Sequence, residues 1–211
     1  MMILEACVEN FNNVPDVIKR GAHRIELCDN LSVGGTTVSH GVAVRTIQYC
    51  KSNHVKVMAM IRPRGGDFIY SSEEIAIMQN DIDHLKGLGV DGVVFGCLTD
   101  TDWIDELAIS TLLDCSKGLE VAFHMAFDQI NTNYQLKAID WLASQGVNRI
   151  LTHGGPSSTP INNNFNRLKE YLDYASDRIT IMPGGGITNQ NLDYIKSNLK
   201  INEVHGTRIV G

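Results

Sequence analysis

Eight short apolar or alternating runs, separated by amphipathic stretches of helical period, predict an α/β protein. The architecture expected is a compact (β/α)8 TIM barrel lacking its eighth helix. A recurring layout supports this. A glycine where a helix should end, a short polar link and then a strand appear at Gly21-Ala22-His23-Arg24-Ile25, Gly89-Val90-Asp91-Gly92-Val93 and Gly146-Val147-Asn148-Arg149-Ile150. An open doubly wound sheet would need a glycine-rich nucleotide turn after its first strand, and Glu9-Asn10-Phe11-Asn12-Asn13 is nothing of the kind. One domain over residues 1–211 is expected, since a chain of this length can bury a sizeable core.

The runs fall at residues 3–7, 24–28, 55–61, 92–96, 120–124, 149–152, 179–182 and 203–206. The first two both carry Glu-x-Cys, and strand alternation puts Glu5 on the face of Cys7 and Glu26 on the face of Cys28. Neighbouring strands would then gather two carboxylates and two sulfurs. The third run ends in Ile61-Arg62-Pro63-Arg64-Gly65-Gly66-Asp67-Phe68-Ile69-Tyr70. Proline removes a ladder donor, Gly65-Gly66 permit a turn close to a ligand, and Arg62 and Arg64 offer planar forks for carboxylate or phosphate. Residues 72–88 follow as a helix with Ile75, Met78, Ile82 and Leu85 on one stripe, entered through Ser71-Ser72-Glu73-Glu74 as an N-cap. Residues 132–145 and 163–176 read as helices in the same way.

In a barrel the chemistry sits where strands end, and polar groups recur there. The fifth run ends at His124 with Asp128 beyond it, the sixth at Thr152-His153-Gly154-Gly155, and the eighth at His205-Gly206-Thr207. Gly184, Gly185 and Gly186 after the seventh run, with Gly206 and Thr207, form a candidate phosphate or anion site. Buried glutamates are costly to ionise unless paired, and Arg62 is the partner expected for Glu5 and Glu26. The candidate catalytic set is therefore Glu5, Glu26, Arg62, Arg64, Asp67, His124, Asp128 and His205, alongside the simpler reading of a buried ion network. Cys7 and Cys28 suit Cu(I) by ligand softness, alongside plain packing.

The net charge of −6 argues against nucleic acid and membrane surfaces as partners. No apolar run approaches bilayer length, and the first strand begins too early to leave room for a signal peptide. Five cysteines without CxxC spacing speak for a reduced, cytoplasmic protein. The side near the eighth and first strands, left bare without an eighth helix, predicts a homo-oligomer, a dimer or higher.

Glu5-Ala6-Cys7, Arg24-Ile25-Glu26-Leu27-Cys28, Gly34-Gly35-Thr36-Thr37, residues 61–70, Phe123-His124-x-Ala126-Phe127-Asp128 and residues 182–187 together resemble the CutC copper-homeostasis family. The resemblance covers residues 3 to about 207. It implies a cytoplasmic TIM barrel concerned with copper levels, with Cu(I) as ligand and Cys7 and Cys28 at the matching positions. Met125 stands where that family usually has arginine, His153 replaces a common serine, and longer relatives continue past the eighth strand. The alternative is an enzyme of isomerase or lyase type on a small anionic or sugar-like substrate. There Arg62, Arg64 and the glycine backbone would hold the anion, while Glu5, Glu26 or His124 would move protons.

Overall fold

The computed structural model describes residues 2–211. In chain order its elements are β1 (Ile3–Glu9), α1 (Val14–Lys19), β2 (Arg24–Cys28), α2 (His40–Ser52), β3 (Lys56–Met60) and α3 (Ser72–Leu88). Then come β4 (Gly92–Phe95), α4 (Glu106–Cys115), β5 (Glu120–Phe123), α5 (Gln135–Ser144), β6 (Arg149–Thr152), α6 (Phe165–Ala175), β7 (Thr180–Pro183), α7 (Leu192–Asn198) and β8 (Glu203–Gly206). The strands pair in parallel in the order β7-β6-β5-β4-β3-β2-β1-β8, a nearly closed barrel ringed by helices. Between β7 and β8 there is no ladder among the described residues. The two still touch, since a Cβ built on Gly184 would lie 3.4 Å from His205 Cβ.

Alternation sorts the side chains. Outward-facing Ile25, Leu27, Val57, Ala59, Val93 and Phe95 pack against helix residues such as Ile47, Met78, Ile82 and Leu112 in one apolar layer. Each of these side chains larger than alanine contributes roughly 1.5–3 kcal/mol by leaving water. Inside the barrel a second, smaller cluster joins Cys7, Cys28, Met58, Met60, Val94 and Ala122, with Leu31 packed against it.

The helix over 72–88 forms as read, with a full capping box: Ser71 Oγ accepts from Glu74 N, and Glu74 Oε2 accepts from Ser71 N at 2.8 Å. Several boundaries shift by one to three residues, and three of the shifts have a visible local cause. β1 runs on to Glu9 because its ladder with β2 continues to the Glu9–Cys28 pair. β3 stops at Met60 because Arg62 N–H donates sideways to Thr37 Oγ1 at 2.9 Å. Residues 132–134 form a 3-10 turn before α5.

β8 is less bare than the missing helix suggested. Val204 on its outer face is fully buried among the chain's own residues, and Ile209 folds back into the same layer. A bridge between Thr188 and Arg208 ties that tail to the loop after β7. Among the described residues no helix is long and apolar enough to cross a membrane.

Candidate metal centre

Charges at the strand starts build the floor of the barrel. Glu203 accepts from Arg24 Nη2 at 2.5 Å and from Arg149 Nε at 3.2 Å. Glu120 accepts from Arg149 at 2.5 Å and from Lys56 at 2.5 Å. Arg24 Nε reaches upward to Glu5, which is only 1% exposed. The register sets Glu5 beside both Arg24 and His205, and Cys7 beside Glu26.

Above this floor the five inward groups of β1, β2 and β8 converge. His205 Nδ1 donates to Glu5 Oε1 at 2.9 Å, since an ionised carboxylate only accepts. The other ring nitrogen, Nε2, is thereby turned toward Glu26, 3.5 Å from Oε2. Cys28 Sγ donates to Glu26 Oε2 at 3.6 Å. Cys7, Glu26 and His205 each offer a donor atom, and these lie within 4.8 Å of one another.

The electrostatics follow from burial and these contacts. Burial lifts the Glu5 carboxyl, but the His205 hydrogen bond and the Arg24 charge more than offset it and hold it at about 2. Burial, with the neighbouring Cys7 and Glu5, pushes the Glu26 carboxyl well up against the pull of His205. Burial disfavours the His205 cation, yet Glu26, Cys7 and Glu5 together raise its pKa well above the ordinary value. The adjoining Cys28 thiol, against the effect of burial and with help from His205, pulls Cys7 well down, while Cys28 itself is pushed up. Glu26 Oε1 is buried without a hydrogen-bond partner among the described residues. A cleft of about 510 Å³, lined by Cys7, Glu9, Asp16, Leu31, Asn189 and Arg208 among others, leads from solvent to Cys7.

Of the sequence candidates, Glu5, Glu26, Cys7, Cys28 and His205 are thus brought together. Arg62 is not the partner of the glutamates; Arg24 takes that place for Glu5. Strand period could have shown it, because Arg24 lies two residues before Glu26 and shares its face. Arg62 instead clasps loops, donating to Val33 O at 2.8 Å, Gly35 O at 3.1 Å and Gly66 O at 2.8 Å. Arg64 pairs with Glu74 at 2.5 Å and with Asp67 at 3.1 Å and donates to Ile69 O at 2.7 Å. His124 Nδ1 accepts from Ala126 N at 3.2 Å, and its ring packs 4.7 Å from that of Phe68. Burial, helped by the Arg62 charge, lowers its pKa to about 3.

Asp128 binds the loop after β6, accepting from Thr152 Oγ1 at 2.5 Å and from His153 N at 2.8 Å. Around the glycine triplet, Gly184 N donates to Thr152 O at 3.0 Å and Gly186 O accepts from Asn191 Nδ2 at 2.9 Å. Gly185 has φ +79°, and a Cβ there would lie 2.8 Å from His153 Nδ1, so the imidazole fills the space before it. Gly206 lets the loop after β7 approach, since a Cβ would sit 2.5 Å from Ile187 O. Thr207 is exposed on the rim of the cleft leading to Cys7.

Comparison with known proteins gives a consistent result. The model of the CutC family matches residues 2–210. An Enterococcus faecalis CutC family protein is 53% identical over 209 residues, covering 99% of this chain and 100% of the relative. The human copper homeostasis protein cutC homolog is 40% identical over 204 residues, 96% of this chain and 72% of its own length. A crystal structure from Streptococcus agalactiae, carrying the name copper homeostasis protein CutC, superposes with a TM-score of 0.96 at 44% identity, covering both chains fully.

Proposed function

Because the chain belongs to the CutC family, whose human and mouse members bear the name copper homeostasis protein, we propose that it serves copper homeostasis by binding Cu(I) inside the barrel. The observation that carries this reading is the meeting of Cys7, Glu26 and His205 donor atoms within 4.8 Å. The donor set fits the ion. Thiolate and imidazole are the soft and borderline ligands copper prefers, and the unpartnered Glu26 Oε1 is an acceptor that a cation would satisfy. Cys7 and Cys28 supply sulfur, and His205 presents Nε2. Glu5 holds the His205 ring by its other nitrogen, the arrangement that orients ligating histidines generally. Arg24 keeps Glu5 ionised for that task.

The test is a Cu(I) titration under reducing conditions against a competing chelator. The protein is expected to bind one equivalent, and a Cys7→Ser, Cys28→Ser double variant that folds normally by circular dichroism should lose at least about a hundredfold in affinity. Equal affinity in that variant ends the proposal. A reducing, cytoplasmic setting is part of the reading, and the five free cysteines support it.

A second reading, an isomerase- or lyase-type enzyme on a small anionic or sugar-like substrate, is favoured by a different observation. Arg62 Nε, Tyr70 Oη and His124 Nε2 are buried without partners among the described residues. All three are donors, because His124 Nδ1 already accepts a hydrogen bond and leaves its proton on Nε2. An anion near the Phe68 ring, against which Arg62 and His124 both pack, would satisfy them.

A further inference from the structure

Resting on the Cu(I) reading, we propose that Met60 is a third sulfur ligand of the centre and the residue that selects Cu(I) over borderline divalent ions. The β2–β3 ladder pairs Glu26 with Met58 and Leu27 with Ala59, so its next step carries Cys28 beside Met60. Both belong to the interior cluster that holds Cys7. Gly35 marks the space they share: a Cβ there would lie 3.1 Å from Cys28 Sγ and 3.6 Å from Met60 Cε. No side chain from that position fills the gap, and Leu31 closes the cluster from the same loop.

The other interior thioethers are engaged below. Arg24 Nη2 donates to Met182 Sδ at 3.3 Å, and Arg149 Nη1 to Met58 Sδ at 3.8 Å. Both guanidinium groups belong to the charged floor, so a lone pair of each of these two sulfurs is already engaged there. Met60 Sδ receives no hydrogen bond among the described residues and keeps its lone pairs. Its side chain turns about three bonds, so the sulfur reaches a neighbouring ion without any movement of β3. A thioether is neutral and soft; it strengthens a site for Cu(I) and adds little for Zn(II), which His205 and Glu26 would serve as well.

The experiment compares the unsubstituted protein with Met60→Leu, a volume-conserving exchange that leaves the core packed. Copper-edge X-ray absorption should count three sulfur neighbours in the first and two in the second. Chelator competition should show Cu(I) affinity falling at least about tenfold with Zn(II) affinity unchanged. An unaltered sulfur count with unaltered Cu(I) affinity overturns the assignment, as does an equal loss for both metals. If Cys7→Ser, Cys28→Ser abolishes binding while Met60→Leu changes nothing, only the Met60 assignment falls. Failure of the unsubstituted protein to bind Cu(I) overturns the Cu(I) reading and this one together.

Discussion

Glu5 and Glu26 are the same residue type on neighbouring strands, buried to nearly the same degree, and their pKa values move in opposite directions. Glu26 shares its charge with a histidine at 3.5 Å and leaves one oxygen unpartnered, so burial dominates and its carboxyl is raised. Glu5 is gripped by Arg24 and His205, which bring it from 4.5 to about 2. The folded protein therefore binds that proton less well than the unfolded chain. The resulting stabilisation is complete above about pH 4.5 and is lost as pH falls from there through about 2. Glu5→Gln should cost roughly 3 kcal/mol at neutral pH, since it leaves Arg24 short of a buried carboxylate. Denaturant midpoints should also change less between those two pH values in the variant than in the parent, and parallel curves would assign the acid dependence to other groups. The glutamates and cysteines were legible in the sequence because strand alternation has a period of two. Their partner was misread because Arg62 lies past the end of its strand, where that period no longer governs direction.

At the scale of elements, the segment from Arg62 to Tyr70 shows why motif density alone does not reveal a role. Its two arginines spend most of their donors on backbone carbonyls and local carboxylates, knitting the loops after β2 and β3 together. No sequence pattern distinguishes such a clasp from an anion cradle, because both need guanidinium, glycine and a turn. What remains for a ligand is the set of unpartnered donors around Phe68. On that basis acetate, phosphate or a sugar phosphate at saturating concentration should raise the melting temperature, and Tyr70→Phe, which removes only the hydroxyl, should diminish the shift. No shift across such a panel would remove the anionic-substrate reading while leaving the copper reading intact. Helices were easier to foresee than these loops: α3 carries its apolar stripe and its capping box in consecutive residues, and both are local signals.

For the whole molecule, the eight-fold alternation of strand and helix was readable from end to end, since each unit repeats one hydrophobic pattern. What covers the eighth strand was not, because the packing of Val204 and Ile209 depends on contacts between opposite ends of the chain. With that flank covered, a homo-oligomer would need other apolar surface, such as that around Leu107 on α4, which is 80% exposed. We expect light scattering to give a multiple of the protomer mass, reduced toward one protomer by Leu107→Lys. A monomer in the unsubstituted protein would overturn the homo-oligomer that the sequence led us to expect.

Among the described residues, the one place where neighbouring strands lack main-chain pairing, β7 against β8, has a consequence for entry. Every proposed donor stands on the unbroken run β8-β1-β2-β3. An opening at that edge would break no strand ladder, and it would leave every proposed ligand atom in its place.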